Sequence, residues 1–380
     1  MLPTRRSFLS SVAAGCAMAG VGQAAALDGR SPRTALKILV LGGTAFLGPP
    51  FVRGAVAKGH TVTLFNRGKT NPELFKELEQ LRGDREKGDL EALQGRQFDA
   101  IVDTSGYVPE HVEATAKLFR ETSKHYQFIS SISVYGSFGE RPDTIEETAA
   151  VSTVEDDKVK GVNTIRQAMP FYGALKARCE AAAEAAMPGR VSNIRPGLIV
   201  GPGDGSDRFT WWPVRLDRGG EVLAPGTPND PSQIIDSRDL AEFMIRLAEK
   251  KVLGIYNAVG PEKPTTMAEV LYGIKAVTTA GASFTWVPND FLTTQGVRGW
   301  RHMPIWLPPE GRTAGFLRRS NAKALAAGLT FRPLAMTAKD TLDWHKTRPE
   351  EEQKATLEGA VAGISPAKEA EVLAAWKAKG

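Results

Sequence analysis

A tyrosine and a lysine stand four residues apart in the run Phe171-Tyr172-Gly173-Ala174-Leu175-Lys176. The segment that holds them, "FYGALKARCEAAAEAAM", is rich in helix formers, and in a helix a spacing of four places both side chains on one face. A free phenol has a pKa of about 10 and keeps its proton at neutral pH. An ammonium within a few ångströms favours the phenolate, so this pair has the makings of a proton-transfer device.

A second string is suited to binding. "LGGTAFLG", Leu41 to Gly48, follows the apolar run "KILVL" directly and opens a helix-like segment. In that setting Gly42 allows a tight turn, Gly43 lets the backbone approach a pyrophosphate, and Gly48 lets helix pack closely on strand. The residues between them, Thr44, Ala45, Phe46 and Leu47, would lie along the phosphates, and the helix N-terminus would offer free N–H groups to the anion. Ala45 takes a small position where glycine is more usual. Pro49 and Pro50 fall early in the helix, where a missing N–H costs least. The string predicts a dinucleotide cradle. NAD-binding folds usually carry an acid after the second strand for the ribose 2′-hydroxyl. Here that strand ends Leu64-Phe65-Asn66-Arg67-Gly68-Lys69, without an acid. Asn66 and Arg67 suit a 2′-phosphate, so NADP is favoured over NAD.

The elements that must position these groups alternate in type. Strand-like runs at "KILVL", "TVTLF", "DAIVDT", "YQFISS" and "VSNIRP" are separated by helical segments such as "FVRGAVAKG" and "PEHVEATAKLFRETS". Such alternation predicts an α/β fold, a Rossmann-type doubly wound parallel sheet over residues 35–200. After Pro196 glycine, proline and tryptophan become frequent. This predicts a smaller substrate-binding lobe over residues 201–350, partly interleaved with the core, followed at 351–380 by peripheral helices without site chemistry. Asp204, Asp207 and Arg208 with Trp211 and Trp212 follow the last core strand, where open α/β sheets place substrates. "GVRGWRHMPIWLP" adds Arg298, Trp300, His302 and Trp306. Aromatic planes with a few polar groups suit a sugar ring, and Arg208, Trp211 and Trp300 are the expected contacts.

The motifs form an ordered set: the glycine string, "RGD" (Arg82 to Asp84), "VDTSGY" (Val102 to Tyr107), "SSISVYG" (Ser130 to Gly136), "YGALK", "IRPGLIVGPGD" and "IIDSRDLA". From Leu36 to Glu350 the chain resembles the extended short-chain dehydrogenase/reductase family, the group of NAD-dependent sugar epimerases and dehydratases. The resemblance implies that Tyr172 exchanges a proton with a hydroxyl or carbonyl while hydride passes to or from a nicotinamide. It implies that Lys176 also bonds the ribose, and that Ser131 bonds the reacting oxygen. It places Asp84 toward the adenine, Thr104, Ser105 and Gly106 along the cofactor, and Tyr107 and Ser133 toward the substrate. Dehydratases of the family carry an acid pair where this chain has Ile132 and Ser133, which leaves reduction or epimerisation. A homodimer through two helices per subunit is a further implication. "LGGTAFLG" and "VTLFNRGK" also resemble the chloroplast stem-loop RNA-binding proteins of the same superfamily, which implies an RNA-binding, non-catalytic alternative.

The bulk numbers favour small-molecule chemistry. The 380 residues are 42% hydrophobic, enough for a large core, and the net charge is +5. Arg5 and Arg6 are the only charges in residues 1–26, so without that segment the surplus is +3, too mild to call for nucleic acid. The five histidines show no paired ligand spacing, and no metal is expected. Thr4-Arg5-Arg6-Ser7-Phe8-Leu9 resembles a twin-arginine export signal. The apolar run after it is too weak to span a bilayer, and Ala24-Ala25-Ala26 offers a cleavage site. Residues 1–26 are therefore read as a signal peptide, and the mature protein as periplasmic with no transmembrane segment. The alternatives are a lipid anchor on Cys16 and a cytoplasmic protein. The mature chain would keep Cys179 alone and form no internal disulfide. Outside the cytoplasm no pool of reduced nucleotide refills an active site. A tightly held cofactor, regenerated in place on a free or polymer-derived sugar, is the expected arrangement. The runner-up is a soluble NADPH-dependent carbonyl reductase.

Overall fold

The computed structural model describes residues 35–139 and 146–379. The leader, with its arginine pair and Cys16, lies outside them. Seven parallel strands make the central sheet: β1 (Lys37–Leu41), β2 (Thr61–Asn66), β3 (Glu79–Arg82), β4 (Ala100–Asp103), β5 (Tyr126–Ile129), β6 (Val191–Pro196) and a last strand, Gly254–Ala258. Their spatial order is β3-β2-β1-β4-β5-β6 followed by Gly254–Ala258. The order reverses between β1 and β4, and at such a switch point a crevice opens beyond the carboxyl ends of the strands. The two central pairings are in register at Leu41 with Phe65 and Leu41 with Asp103. Every residue of β4, β5 and β6 is buried, as continuous apolar runs covered on both faces require.

Both faces carry helices. Helix α1 (Gly48–Ala57) packs on one face beside the Ser237–Lys250 helix, with Phe51, Val52, Phe243, Met244 and Ile245 in their shared core. Prolines fill the second and third positions of α1, within its first turn, where no N–H is needed. The helix stops where Gly59 turns left-handed at φ 84°, and His60 N–H bonds back to the Ala55 carbonyl at 3.1 Å. Helix α2 (Pro109–Leu118) and the Tyr172–Ala186 helix cover the other face, around Val112, Phe119, Cys179 and Ala183. Cys179 is fully buried, and burial pushes its thiol up to about 12, so it is packing material.

Residues after β6 build a second core around Phe209, Trp211, Trp212, Leu271 and Trp306. Its strands Gly220–Pro225 and Ala282–Val287 pair in parallel, and the Pro366–Lys379 helix docks on it. Glu369 of that helix is buried, accepting Arg215 Nε at 2.6 Å and Arg218 Nη2 at 2.7 Å. Among the described residues no helix is long and apolar enough to cross a membrane.

Candidate active site

A cleft of about 1150 Å³ opens at the switch point, lined by the glycine turn, the ends of β2, β4 and β5, the start of the Tyr172–Ala186 helix and the lobe. That exceeds the roughly 300–1000 Å³ of ordinary small-molecule sites. The turn is built for close approach. Gly42 and Gly43 hold φ of 104° and 89°, and a Cβ on Gly48 would stand 2.3 Å from the Gly43 carbonyl carbon. Gly42 N–H donates to the Phe65 carbonyl at 2.9 Å, which ties the turn to β2.

The anion donors differ from the expectation. Pro49 and Pro50 have no N–H, and Gly48 N–H already bonds the Ala45 carbonyl at 2.7 Å, so the first turn of α1 has little to offer. The N–H groups of Gly43, Thr44, Ala45, Phe46 and Leu47 have no acceptor among the described residues. The loop, rather than the helix end, presents the donors, as in a backbone nest. Asn66 lines the cleft. Its Nδ2 donates to the Gly42 carbonyl at 3.3 Å, and its Oδ1 accepts from Gly68 N–H at 2.8 Å and from Arg82. The amide thus also holds the turn. Arg67 lines the cleft half-exposed, 3.3 Å from the Glu86 carboxylate, with Lys69 beside it. Asp84 lines the cleft too and caps a short turn by accepting Glu86 N–H at 3.1 Å. Thr104 and Ser105 hydroxyls both donate to the Leu41 carbonyl, at 2.9 and 3.1 Å.

Tyr172 is the first residue of its helix. A capping box between Thr164 and Gln167 starts the preceding turn. Gly173 then fixes the approach, because a Cβ there would lie 2.1 Å from the Ser133 carbonyl oxygen. The helix therefore seats backbone against backbone on the loop that carries Ser131 and Ser133. Ser131 lines the cleft with Tyr172, and its Oγ accepts Ser133 N–H at 3.1 Å. Burial pushes the phenol above its ordinary value, opposed by the Ser131 hydroxyl and by the Arg208 guanidinium.

Lys176 is not the cation that phenol feels. Its Nζ donates to the carbonyls of Gly106 and Ile129, both at 2.7 Å, and lies 4.4 Å from the centroid of the Tyr107 ring but 6.0 Å from that of Tyr172. Burial pulls the ammonium down to about 8. Gly106 accordingly serves Lys176 through its carbonyl. It is buried against Phe128 and Val112 and forms no part of the cleft wall, contrary to its expected place along a cofactor. Tyr107, Ser131, Ser133, Tyr172 and Lys176 all line the cleft.

From the lobe, Arg208 and Trp300 reach the cleft and stack on each other, guanidinium to ring centroid 5.3 Å. Trp211 does not. It is 1% exposed, packed edge-on at 4.7 Å against Trp212 and capped by Gly363. Its helix turns the indole into the lobe core. Trp211→Ala is expected to lower stability by about 3–5 kcal/mol, read as a fall in thermal midpoint. Trp300→Ala, at a half-exposed position, should cost less than about 1 kcal/mol.

Residues that spacing could not reveal complete the site. Arg85 is buried in a bidentate pair with Asp103 at 2.7 and 3.0 Å, and its Nη2 donates to Ser105 Oγ at 2.8 Å, which holds the β4 loop. The segment 351–380 is not merely peripheral, since Thr356 Oγ1 donates to Asp207 Oδ2 at 2.7 Å beside Arg208. Among the described residues no His, Cys, Asp and Glu side chains gather as a metal site would require.

Comparison with known proteins agrees with this architecture. A stem-loop binding protein of 41 kDa from the chloroplast of Arabidopsis thaliana is 25% identical over 246 residues, covering 60% of each chain. The chain thus spans three fifths of that relative's length. The human epimerase family protein SDR39U1, solved with NADPH, superposes with a TM-score of 0.54 at 21% identity, over 81% of this chain and 99% of that one. The dTDP-glucose 4,6-dehydratase of Bacillus anthracis, solved with NAD, gives a TM-score of 0.59 at 16% identity over 85% and 100%. The model of the NAD dependent epimerase/dehydratase family matches residues 38–258, more than half of the sequence, and the chain belongs to that family.

Proposed function

We propose that this protein is an NAD(P)-dependent epimerase or oxidoreductase, acting on a hydroxyl or carbonyl of a sugar-like substrate in the periplasm with a tightly held cofactor. The observation that carries the reading is that Ser131, Tyr172 and Lys176 line the same cleft as the glycine turn. The residues fit a dinucleotide. The unpaired N–H groups of residues 43–47 would hold its pyrophosphate, Asp84 would lie toward the adenine, and Arg67 with Lys69 would favour a 2′-phosphate and so NADP. Solved relatives with NADPH or NAD support a nicotinamide cofactor. When bound, that group supplies hydride chemistry.

The chain's own residues handle the proton. Tyr172, held above its ordinary pKa by burial, keeps its proton at neutral pH and gives it to a carbonyl oxygen that Ser131 orients. Lys176, through charge-assisted bonds to the Gly106 and Ile129 carbonyls, holds the loops after β4 and β5 beside the phenol. Because that ammonium titrates at about 8, carbonyl reduction should stay level through neutral pH and fall above about 8, where the lysine loses its charge. In Lys176→Met the rate should be lower throughout and the fall near pH 8 should vanish. A fall that persists would assign it to another group.

The direct test is to load the protein with NADP or NAD and offer a panel of free sugars. An epimerase scrambles one stereocentre with no net change in nicotinamide absorbance, whereas a reductase consumes reduced cofactor in step with product. A loaded protein that does neither would refute the proposal. The stem-loop relative suggests RNA binding as another reading. That reading requires filter-binding affinity that drops steeply with added salt.

A further inference from the structure

Resting on the reading of this cleft as a sugar site, we propose that its substrate is an acidic sugar whose oxyanion pairs with the guanidinium of Arg208. Arg208 lines the cleft with one face against Trp300. Its Nε donates to Ser206 Oγ at 3.1 Å, and among the described residues no carboxylate pairs with it. The neighbouring acids are engaged in other ways. Asp207 is fully buried and taken by Arg348 Nη1 at 2.8 Å and by Thr356. Asp204 accepts Ser206 N–H at 2.9 Å through one oxygen, while the other is buried without a partner. Burial holds that carboxyl above its ordinary range, opposed by its Ser206 bonds and by the charge of Arg208.

The arrangement is held in place at a conformational cost. Asp207 and Trp300, neither of them glycine, sit at φ of 54° and 63°. Such left-handed residues persist only where surrounding contacts over-determine them, and they cluster at binding sites. Here Arg348 and Thr356 clasp the first. Trp300 N–H, donating to the carbonyls of Trp306 at 2.9 Å and Met303 at 3.1 Å, fixes the second.

The chemistry of the substrate follows from desolvation. A neutral sugar laid over Arg208 would strip water from an unpaired guanidinium and return little. A carboxylate or phosphate matches the planar fork with two charge-assisted bonds. Trp300 and Phe316, edge-on with ring centroids 5.5 Å apart, form an apolar corner for the sugar body. Arg312, on the same wall of the cleft, adds a second positive charge. Arg208 and Tyr172 line the same cleft, so the oxyanion would share it with the reacting carbon.

Isothermal titration of the full-length protein saturated with NADP tests this, using glucuronate and galacturonate against glucose and galactose, with glucose 6-phosphate as a third arm. The uronates should bind at least about 30-fold more tightly than the neutral sugars. Arg208→Gln should weaken uronate binding by about 30- to 100-fold and leave the neutral sugars nearly unchanged, and Arg208→Lys should recover only part of the loss. Arg348→Gln, which frees Asp207 outside the cleft, should weaken the uronates in the same selective way. Tighter binding of the 6-phosphate than of the uronates would support the subsite and assign its oxyanion to a phosphate ester. Equal affinity for uronates and neutral sugars, or an equal loss of both in Arg208→Gln, would overturn the proposal. Neutral sugars that exchange hydride while uronates do not bind would overturn it and leave the enzyme reading standing. A protein that cannot be loaded with any dinucleotide would instead bring down the enzyme reading.

Discussion

Tyr172→Phe is expected to lower turnover by about 10²- to 10⁴-fold while dinucleotide affinity stays unchanged. The ring keeps its place, because the seat of the helix depends on Gly173 against the Ser133 carbonyl and not on the phenol oxygen. What disappears is the phenol hydroxyl that shares the cleft with Ser131 and that would pass a proton to the substrate oxygen. Ser131→Ala should lose less, since the phenol then keeps its proton but not its alignment. Paired measurements of kcat and cofactor affinity make the check. Near-normal kcat in Tyr172→Phe would remove the residue from the chemistry.

Gly48→Ala should abolish tight cofactor binding, with affinity down at least about 100-fold and stability down by about 1–3 kcal/mol. The added methyl would meet the carbonyl carbon, oxygen and Cα of Gly43 at 2.3, 2.4 and 2.6 Å. These are backbone atoms, so either the turn or α1 must move, and the unpaired N–H groups of residues 43–47 would no longer converge. The control is at the other end of the same helix. Gly59 is also left-handed, but a Cβ there meets nothing within 4 Å. Gly59→Ala should cost about 1 kcal/mol of stability from backbone strain alone and leave affinity intact. Equilibrium titration with NADP and NAD separates the two outcomes.

What could be read from the sequence was what local spacing encodes. The five strands expected up to Pro196 fall where expected, whereas β3, Glu-Gln-Leu-Arg with one apolar residue, gave no such signal and was missed. The strand Gly254–Ala258, partly exposed at its start and carrying Asn257 within it, lacks the apolar run that would have announced it. The glycine turn and the Tyr172–Lys176 pair were legible because each is fixed within eight residues. The Arg85–Asp103 pair spans 18 residues, and the Arg348 and Thr356 contacts to Asp207 span 141 and 149. Such contacts exist only after folding and leave no periodic trace. Trp211 and Trp300 show another limit. Tryptophan serves equally in a core or on a cleft wall, and only the helix face and the left-handed turn decide between them. The same holds for Asn66, whose amide ties together Gly42, Gly68 and Arg82, and for Lys176, whose ammonium bonds two backbone carbonyls.

The most direct measurement is a structure of the protein with NADP or NAD bound. The account predicts a pyrophosphate held by the N–H groups of residues 43–47 and a nicotinamide ring facing the Tyr172 hydroxyl beside Ser131. A dinucleotide excluded from the cleft, or a nicotinamide lying out of reach of Tyr172, would contradict it.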